Sequence, residues 1–219
     1  MSEPPVLTDL DDHGVLTVTM NRPDALNALK EGNARFVNGT TVNCDLRAQV
    51  KATAKGQYPI AAVVGCIDSR VPPELVFDQK LGDIFAARIA GNFVNTDIIG
   101  SIEFATKLAG SKLVVVLGHT DCGAVKGACD GAMLGSLTHT LSNLDPALYA
   151  VLGEHGERSS KNKALVQAVI EANVRLTVEA LTNRSTVLSD LVAEGELKIL
   201  GAIEEVATGE VAFWDEIRP

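Results

Sequence analysis

The sequence predicts an α/β fold with a mostly parallel central sheet: four parallel strands plus an antiparallel C-terminal strand, flanked by helices. Three observations carry this. Strand-sized apolar runs alternate with helical segments between residues 59 and 130, which implies parallel pairing through right-handed crossovers. Those runs are apolar almost throughout rather than alternating, so the sheet is covered on both faces. The last two runs are joined only by "ATGE", which makes them antiparallel neighbours.

Taken in order, "VLTVT" at 15–19 is β-branched and alternating, hence a short strand. Asp24, preceded by Pro23, caps a helix on which Ala25, Leu26, Leu29 and Phe36 recur at helical spacing, and Asn38-Gly39 ends it. A second helix at 45–57 is capped by Asp45 and stopped at Gly56. The core begins with a strand at 59–66. A loop and short helix follow, with Pro72-Pro73 in the first turn. Then come a strand at 83–90, a helix at 98–110 ending at Gly110, a strand at 112–119 and a helix near 121–130. Residues 133–193 form a long, mostly helical region, before strands at 197–203 and 210–215.

With 219 residues, the chain suits one domain with a sizeable core. Its composition, 46% hydrophobic and 21% charged, belongs to a folded protein. The net charge of -9, with no basic block, argues against a nucleic-acid partner. No apolar run approaches the roughly 20 residues that span a bilayer, and the start lacks the charged and apolar regions of a secretory signal. The expected compartment is therefore cytoplasmic. In a reducing compartment four cysteines, Cys44, Cys66, Cys122 and Cys129, point to metal binding or catalysis rather than disulfides.

The site is expected where two apolar runs end in chemistry. "VVGCIDSR" places Cys66, Asp68 and Arg70 at the carboxyl end of one strand; "VVVLGHTDCG" places His119 at the end of another, with Cys122 in the first turn of a helix. Ligands of open α/β sheets bind outside the carboxyl ends of the strands. If these two strands are neighbours, Cys66, His119 and Cys122 converge. Two thiolates and an imidazole suit Zn²⁺ and leave a fourth position open, as catalytic zinc sites do. Taken singly, each residue has a plainer reading: a buried small thiol, a hydrogen-bonded histidine, a surface ion pair. Together they form a matched set. Arg70 holds Asp68 in a bidentate pair and keeps it off the fourth position, so that Asp68 accepts a hydrogen bond from zinc-bound water. Val64, Phe85, Ile89, Ala90 and Phe93 are expected to wall a small apolar pocket for a small neutral electrophile.

These stretches resemble the β-carbonic anhydrases. The C-x-D-x-R motif stands as Cys66, Asp68, Arg70, the H-x-x-C-G motif as His119, Cys122, Gly123, with "RIAGN" at 88–92 between them and "LKEGNARFVNG" at 29–39 like the family's N-terminal helix. The resemblance covers residues 29–219. It implies Zn²⁺ on Cys66, His119 and Cys122, with Asp68 itself ligating in a closed state. It implies Asp68 and Arg70 as the dyad that holds zinc-bound hydroxide for attack on carbon dioxide, giving bicarbonate. Gln57, Phe85, Ala90, Phe104 and the Gly123 N–H would contact substrate. It further implies a homodimer or homotetramer, the N-terminal helices packing on a partner subunit and the pocket at their interface. Two departures stand out: Phe104 replaces a cleft tyrosine, and Val63 stands where members with an allosteric bicarbonate pocket have tryptophan, although Arg88 is kept. Residues 1–28 form a separate, hairpin-like extension, and "VLTDLDDHGVLTVTMNRPDALNAL" is similar to the start of a crotonase chain. Two alternatives remain open: hydrolysis of carbonyl sulfide or carbon disulfide at the same zinc, and a non-catalytic zinc scaffold.

Overall fold

The computed structural model describes residues 6–10, 16–20 and 25–214. Two N-terminal strands, β1 (Val6–Leu10) and β2 (Leu16–Met20), pair antiparallel. The cap expected at Asp24 lies outside the described residues. Helix α1 (Ala25–Val37) buries Ala25, Leu29, Gly32 and Asn33, and α2 (Leu46–Thr53) is capped by the Asp45 carboxylate, which accepts from the Arg47 and Ala48 N–H groups. None of the residues of α2 is buried.

The central sheet runs β4 (Ile84–Arg88), β3 (Ala61–Gly65), β5 (Leu113–His119), β6 (Lys198–Glu204), β7 (Val211–Trp214), parallel throughout except the β6–β7 pair. All five residues of β3 and all seven of β5 are buried, as strands covered on both faces must be. Alternate side chains feed two cores. Ala62, Val64, Val114 and Val116 pack with the long helix α8 (Lys163–Arg184), and Ala61, Val63, Val115 and Leu117 pack with α1 and Phe77.

Between the strands lie α3 (Pro73–Val76), α4 (Thr96–Glu103) and α5 (Gly123–Cys129). Helix α4 is capped by Asn95, whose side chain accepts from the Ile98 N–H, and it passes into a π-helical turn, Phe104–Leu108. The long helical region resolves into α6 (Gly135–Ser142), α7 (Asp145–His155), α8 (Lys163–Arg184) and α9 (Thr186–Ala193). Helix α8 carries eight buried residues and packs on β5 and β6.

Helix α1 meets α3 with almost no gap. A Cβ on Gly32 would stand 1.8 Å from the Phe77 carbonyl oxygen, a backbone atom that cannot rotate away. Gly32→Ala is therefore expected to destabilise the fold by about 2 kcal/mol or more, as overpacking does, and to lower Tm by roughly 5 °C. A thermal melt monitored by circular dichroism checks this; an unchanged Tm would show that α1 slides without cost.

Candidate metal centre

Strand pairing builds the site. β3 lies directly against β5 in parallel register, Gly65 opposite Leu117, so both carboxyl ends stop at the same edge. Cys66 follows β3, His119 ends β5, and Cys122 is the N-cap of α5, one position before the helical turn expected from sequence. All three are buried, and their ligand atoms lie within 4.8 Å of one another. Cysteine sulfurs bound to one tetrahedral zinc stand about 3.8 Å apart, so this cluster closes on an ion with small movements.

The donor chemistry fits a metal cation. His119 Nδ1 lies 2.9 Å from the Thr120 carbonyl, which only accepts; Nδ1 must carry the proton, and the lone pair stays on Nε2. That Nε2 is buried and has no hydrogen-bond partner among the described residues, an arrangement costly for a core histidine and suited to a ligand. The loop that orients the imidazole is itself tied down: Thr120 Oγ1 donates to Glu205 Oε1 at 2.9 Å and accepts from the Val206 N–H at 3.0 Å. The two thiols share a charge. The Cys122 S–H holds the Cys66 thiol down to about 4, against burial and with help from His119 and the Gly91 N–H, 3.4 Å from Sγ. Cys122 is raised in turn by that bond, by burial and by the charge on Cys66. Burial works against charge on His119, but the negative charge on nearby Cys66 and the bond to the Thr120 carbonyl outweigh it and raise the imidazole. A dication shared by the three groups removes these conflicts.

Above the cluster, Arg70 grips Asp68 side-on: Nε to Oδ1 at 2.9 Å, Nη2 to Oδ2 at 2.8 Å, with the Arg70 N–H on Oδ1 at 3.0 Å. The guanidinium holds the Asp68 carboxyl well below the usual carboxylate range. Arg70 Nη1 also faces Asp121 Oδ2 at 3.8 Å, and Asp121 is held by Lys126. Asp121 adopts φ of 58°, a left-handed conformation that aspartate tolerates.

The other residues singled out in the sequence fall in three places. Gly123 opens α5, and Ala90 is half-buried next to Gly91, whose N–H reaches Cys66. Phe85 and Phe104 meet edge-to-face, centroids 6.1 Å apart, and line a separate cleft of about 650 Å³ along β4 with Ala87, Ile98 and Ile102. Phe85 pairs with Ala62, four residues before Cys66, about 13 Å back along the strand. Gln57 is exposed and precedes β3, at the end of the strand opposite Cys66. The two other described histidines, His139 and His155, are not part of the donor cluster.

Two residues near the site were not assigned from sequence. Arg88 donates to the Cys66 carbonyl (2.7 Å) and the Asp68 carbonyl (2.5 Å); its signal was a guanidinium in the apolar run "DIFAARIA". Glu204 lies beside His119 in strand register, buried, with Oε2 lacking a hydrogen-bond partner among the described residues; burial pushes it up to about 7.

Fold and donor set together define the class: an α/β protein with a Cys/His/Cys group able to hold a metal ion at the carboxyl edge of its sheet. Comparison with known proteins makes this specific. The family model described as carbonic anhydrase matches residues 61–211. Carbonic anhydrase 2 of Mycobacterium tuberculosis is 36% identical over 199 residues, 88% of this chain and 93% of that protein. The carbonic anhydrase of Mycolicibacterium smegmatis is 37% identical over 193 residues, 85% and 90% of the two chains. Among solved structures, a β-carbonic anhydrase of Aspergillus fumigatus superposes with a TM-score of 0.71 at 30% identity, covering 90% of this chain and 92% of that one. A structure described as one of two tetrameric β-carbonic anhydrases of Sordaria macrospora gives 0.68 at 27% identity, covering 78% and 91%. The chain belongs to the β-carbonic anhydrase family, whose reaction is the reversible hydration of carbon dioxide. No helix among the described residues is long and apolar enough to cross a membrane.

Proposed function

We propose that Cys66, His119 and Cys122 hold Zn²⁺, and that Asp68 and Arg70 direct the attack of water on carbon dioxide to give bicarbonate. The observation that carries this is the ligand cluster, three atoms within 4.8 Å, lying beside a side-on Asp68–Arg70 pair. Zinc, when bound, supplies a Lewis acid that brings the pKa of water to about 7. With both oxygens engaged by Arg70, Asp68 stays out of the donor cluster and keeps lone pairs that accept a hydrogen bond from the nucleophile and fix its orientation. Gly123, first residue of α5, offers an N–H that no intrahelical carbonyl takes. Ala90 supplies apolar wall for a substrate without charge.

The active form is a homodimer or homotetramer. Gln57, Phe85 and Phe104 do not reach the cluster of their own chain, and β4, which carries Phe85, is an edge strand. Helix α2 exposes Leu46 and Val50, as a helix covered by a second copy would. A second subunit would bring these residues to the neighbouring metal centre. A cytoplasmic setting agrees with the chemistry, because a reducing compartment keeps Cys66 and Cys122 from pairing with each other.

Metal content, stopped-flow carbon dioxide hydration and light scattering on one sample test the reading. Stoichiometric zinc, a rate far above buffer and a mass of at least two chains are expected. A zinc-loaded sample that does not hydrate carbon dioxide, or turns over carbonyl sulfide with higher kcat/KM, would refute it.

A further inference from the structure

We infer that Arg88 is a positioning residue, whose guanidinium fork sets the spacing between the metal ligand Cys66 and the Asp68 carboxylate. The inference rests on the site read above. The ladder between β3 and β4 ends at the Gly65–Arg88 pair, with Ile89 N–H on the Gly65 carbonyl as its last rung. Beyond it, the carbonyls of Cys66 and Asp68 have left the sheet and have no strand to accept from. The Arg88 side chain turns onto both: Nε to Cys66 O at 2.7 Å, Nη2 to Asp68 O at 2.5 Å. A planar fork can satisfy both only while the intervening residue curls tightly. Ile67 does curl outward, 60% exposed, while Cys66 beside it is 3% exposed. The curl has one thiol facing inward and a carboxylate two residues later, where Arg70 takes it.

No other side chain among the hydrogen bonds described touches either carbonyl. The Asp68 carbonyl also accepts from the Val71 N–H at 3.2 Å, a bond that closes the following turn but does not reach back to Cys66. Arg88 is thus the one described side chain that holds both carbonyls, and it joins them to the sheet edge. Lysine keeps the charge and most of the reach but has a single point donor, so it cannot hold both carbonyls in fixed relation.

Arg88→Gln is the test, with Arg88→Lys beside it and Arg70→Ala as comparator. Both Arg88 variants are expected to retain zinc at parental stoichiometry after dialysis, to lose at least 10-fold in kcat with a smaller change in KM, and to shift the pH–rate profile. With cobalt(II) in place of zinc, the visible spectrum of each is expected to differ from the parent, because the loop that carries Cys66 and Asp68 has moved. If Arg88→Gln fails to fold, judged by circular dichroism, Arg88→Lys decides by the same readouts. Parental kcat, pH profile and cobalt spectrum in the folded variant would overturn the inference while Arg70→Ala, still impaired, leaves the functional reading standing. If neither parent nor variants hydrate carbon dioxide, the functional reading falls. The cobalt spectra then decide Arg88 alone, a parental spectrum counting against it and an altered one for it.

Discussion

Cys66→Ser is expected to emerge from purification with little zinc and to hydrate carbon dioxide no faster than buffer. A hydroxyl at this position stays protonated at neutral pH and is a far poorer zinc ligand than a thiolate. The surroundings of Cys66 are built for a sulfur anion: the Gly91 N–H points at Sγ and the Cys122 thiol shares its charge. Altering groups that merely orient zinc ligands costs 10–100-fold in affinity; removing a ligand outright is expected to exceed about 100-fold. The buried hydroxyl also costs stability, on the order of 1–3 kcal/mol if unpaired, so a thermal melt accompanies the metal analysis. Cys129→Ala is the control. Cys129 is equally buried but is not part of the donor cluster, and burial with the nearby Asp130 charge raises its thiol. It should keep zinc and rate. Stoichiometric zinc with undiminished turnover in Cys66→Ser would show that the cluster is not the metal site.

The convergence of Cys66, His119 and Cys122 was legible because it depends on coarse features. Apolar runs identify buried strands, a sheet of parallel strands aligns their carboxyl ends, and polar residues placed just past two such runs must share that edge. The neighbour relation of β3 and β5 was the one spatial assumption, and the register of Ala62–Gly65 against Val114–Leu117 supplies it. What escaped depends on tertiary contact. The expected helix from 98 begins at Thr96 and, past Glu103, widens into a π-helical turn, with the Ala109 N–H on the Phe104 carbonyl at 2.9 Å; hydrophobic spacing does not encode that i→i+5 bond. The nine-residue offset between Gln57 and Cys66 says nothing of direction, yet β3 fills most of it and puts the two at opposite ends of the strand. Arg88 fell inside an expected strand and Glu204 just past one, and only the fold shows one gripping the site loop and the other buried beside His119.

Asp68→Asn is expected to keep its zinc and lose about 100-fold or more in kcat, the scale of a positioned proton acceptor. The substitution changes one oxygen to an NH2 group and removes a charge, with almost no change in shape. Asp68 now receives three donors, Arg70 Nε, Nη2 and its own loop's N–H, through two oxygens. In asparagine either the NH2 opposes a guanidinium donor and breaks the side-on pair, or it turns outward and donates where an acceptor is required. Arg70 is then left with Asp121 at 3.8 Å as its nearest described anion, an exposed and weak partner. The direction of the Asp68 shift rules out a simpler origin for any pH dependence. Arg70 holds the carboxyl below its ordinary range, so it stays ionised from about pH 5 upward, and a rate change near neutrality must come from another group. Arg70→Ala should fall into the same activity class, because an unpaired carboxylate beside the donor cluster is free to turn toward the metal. Residues that act as one unit are not additive; the double variant should therefore be scarcely slower than either single one. Full activity of Asp68→Asn at neutral pH, measured by stopped flow on zinc-replete protein, would show that the pair does not act in the reaction.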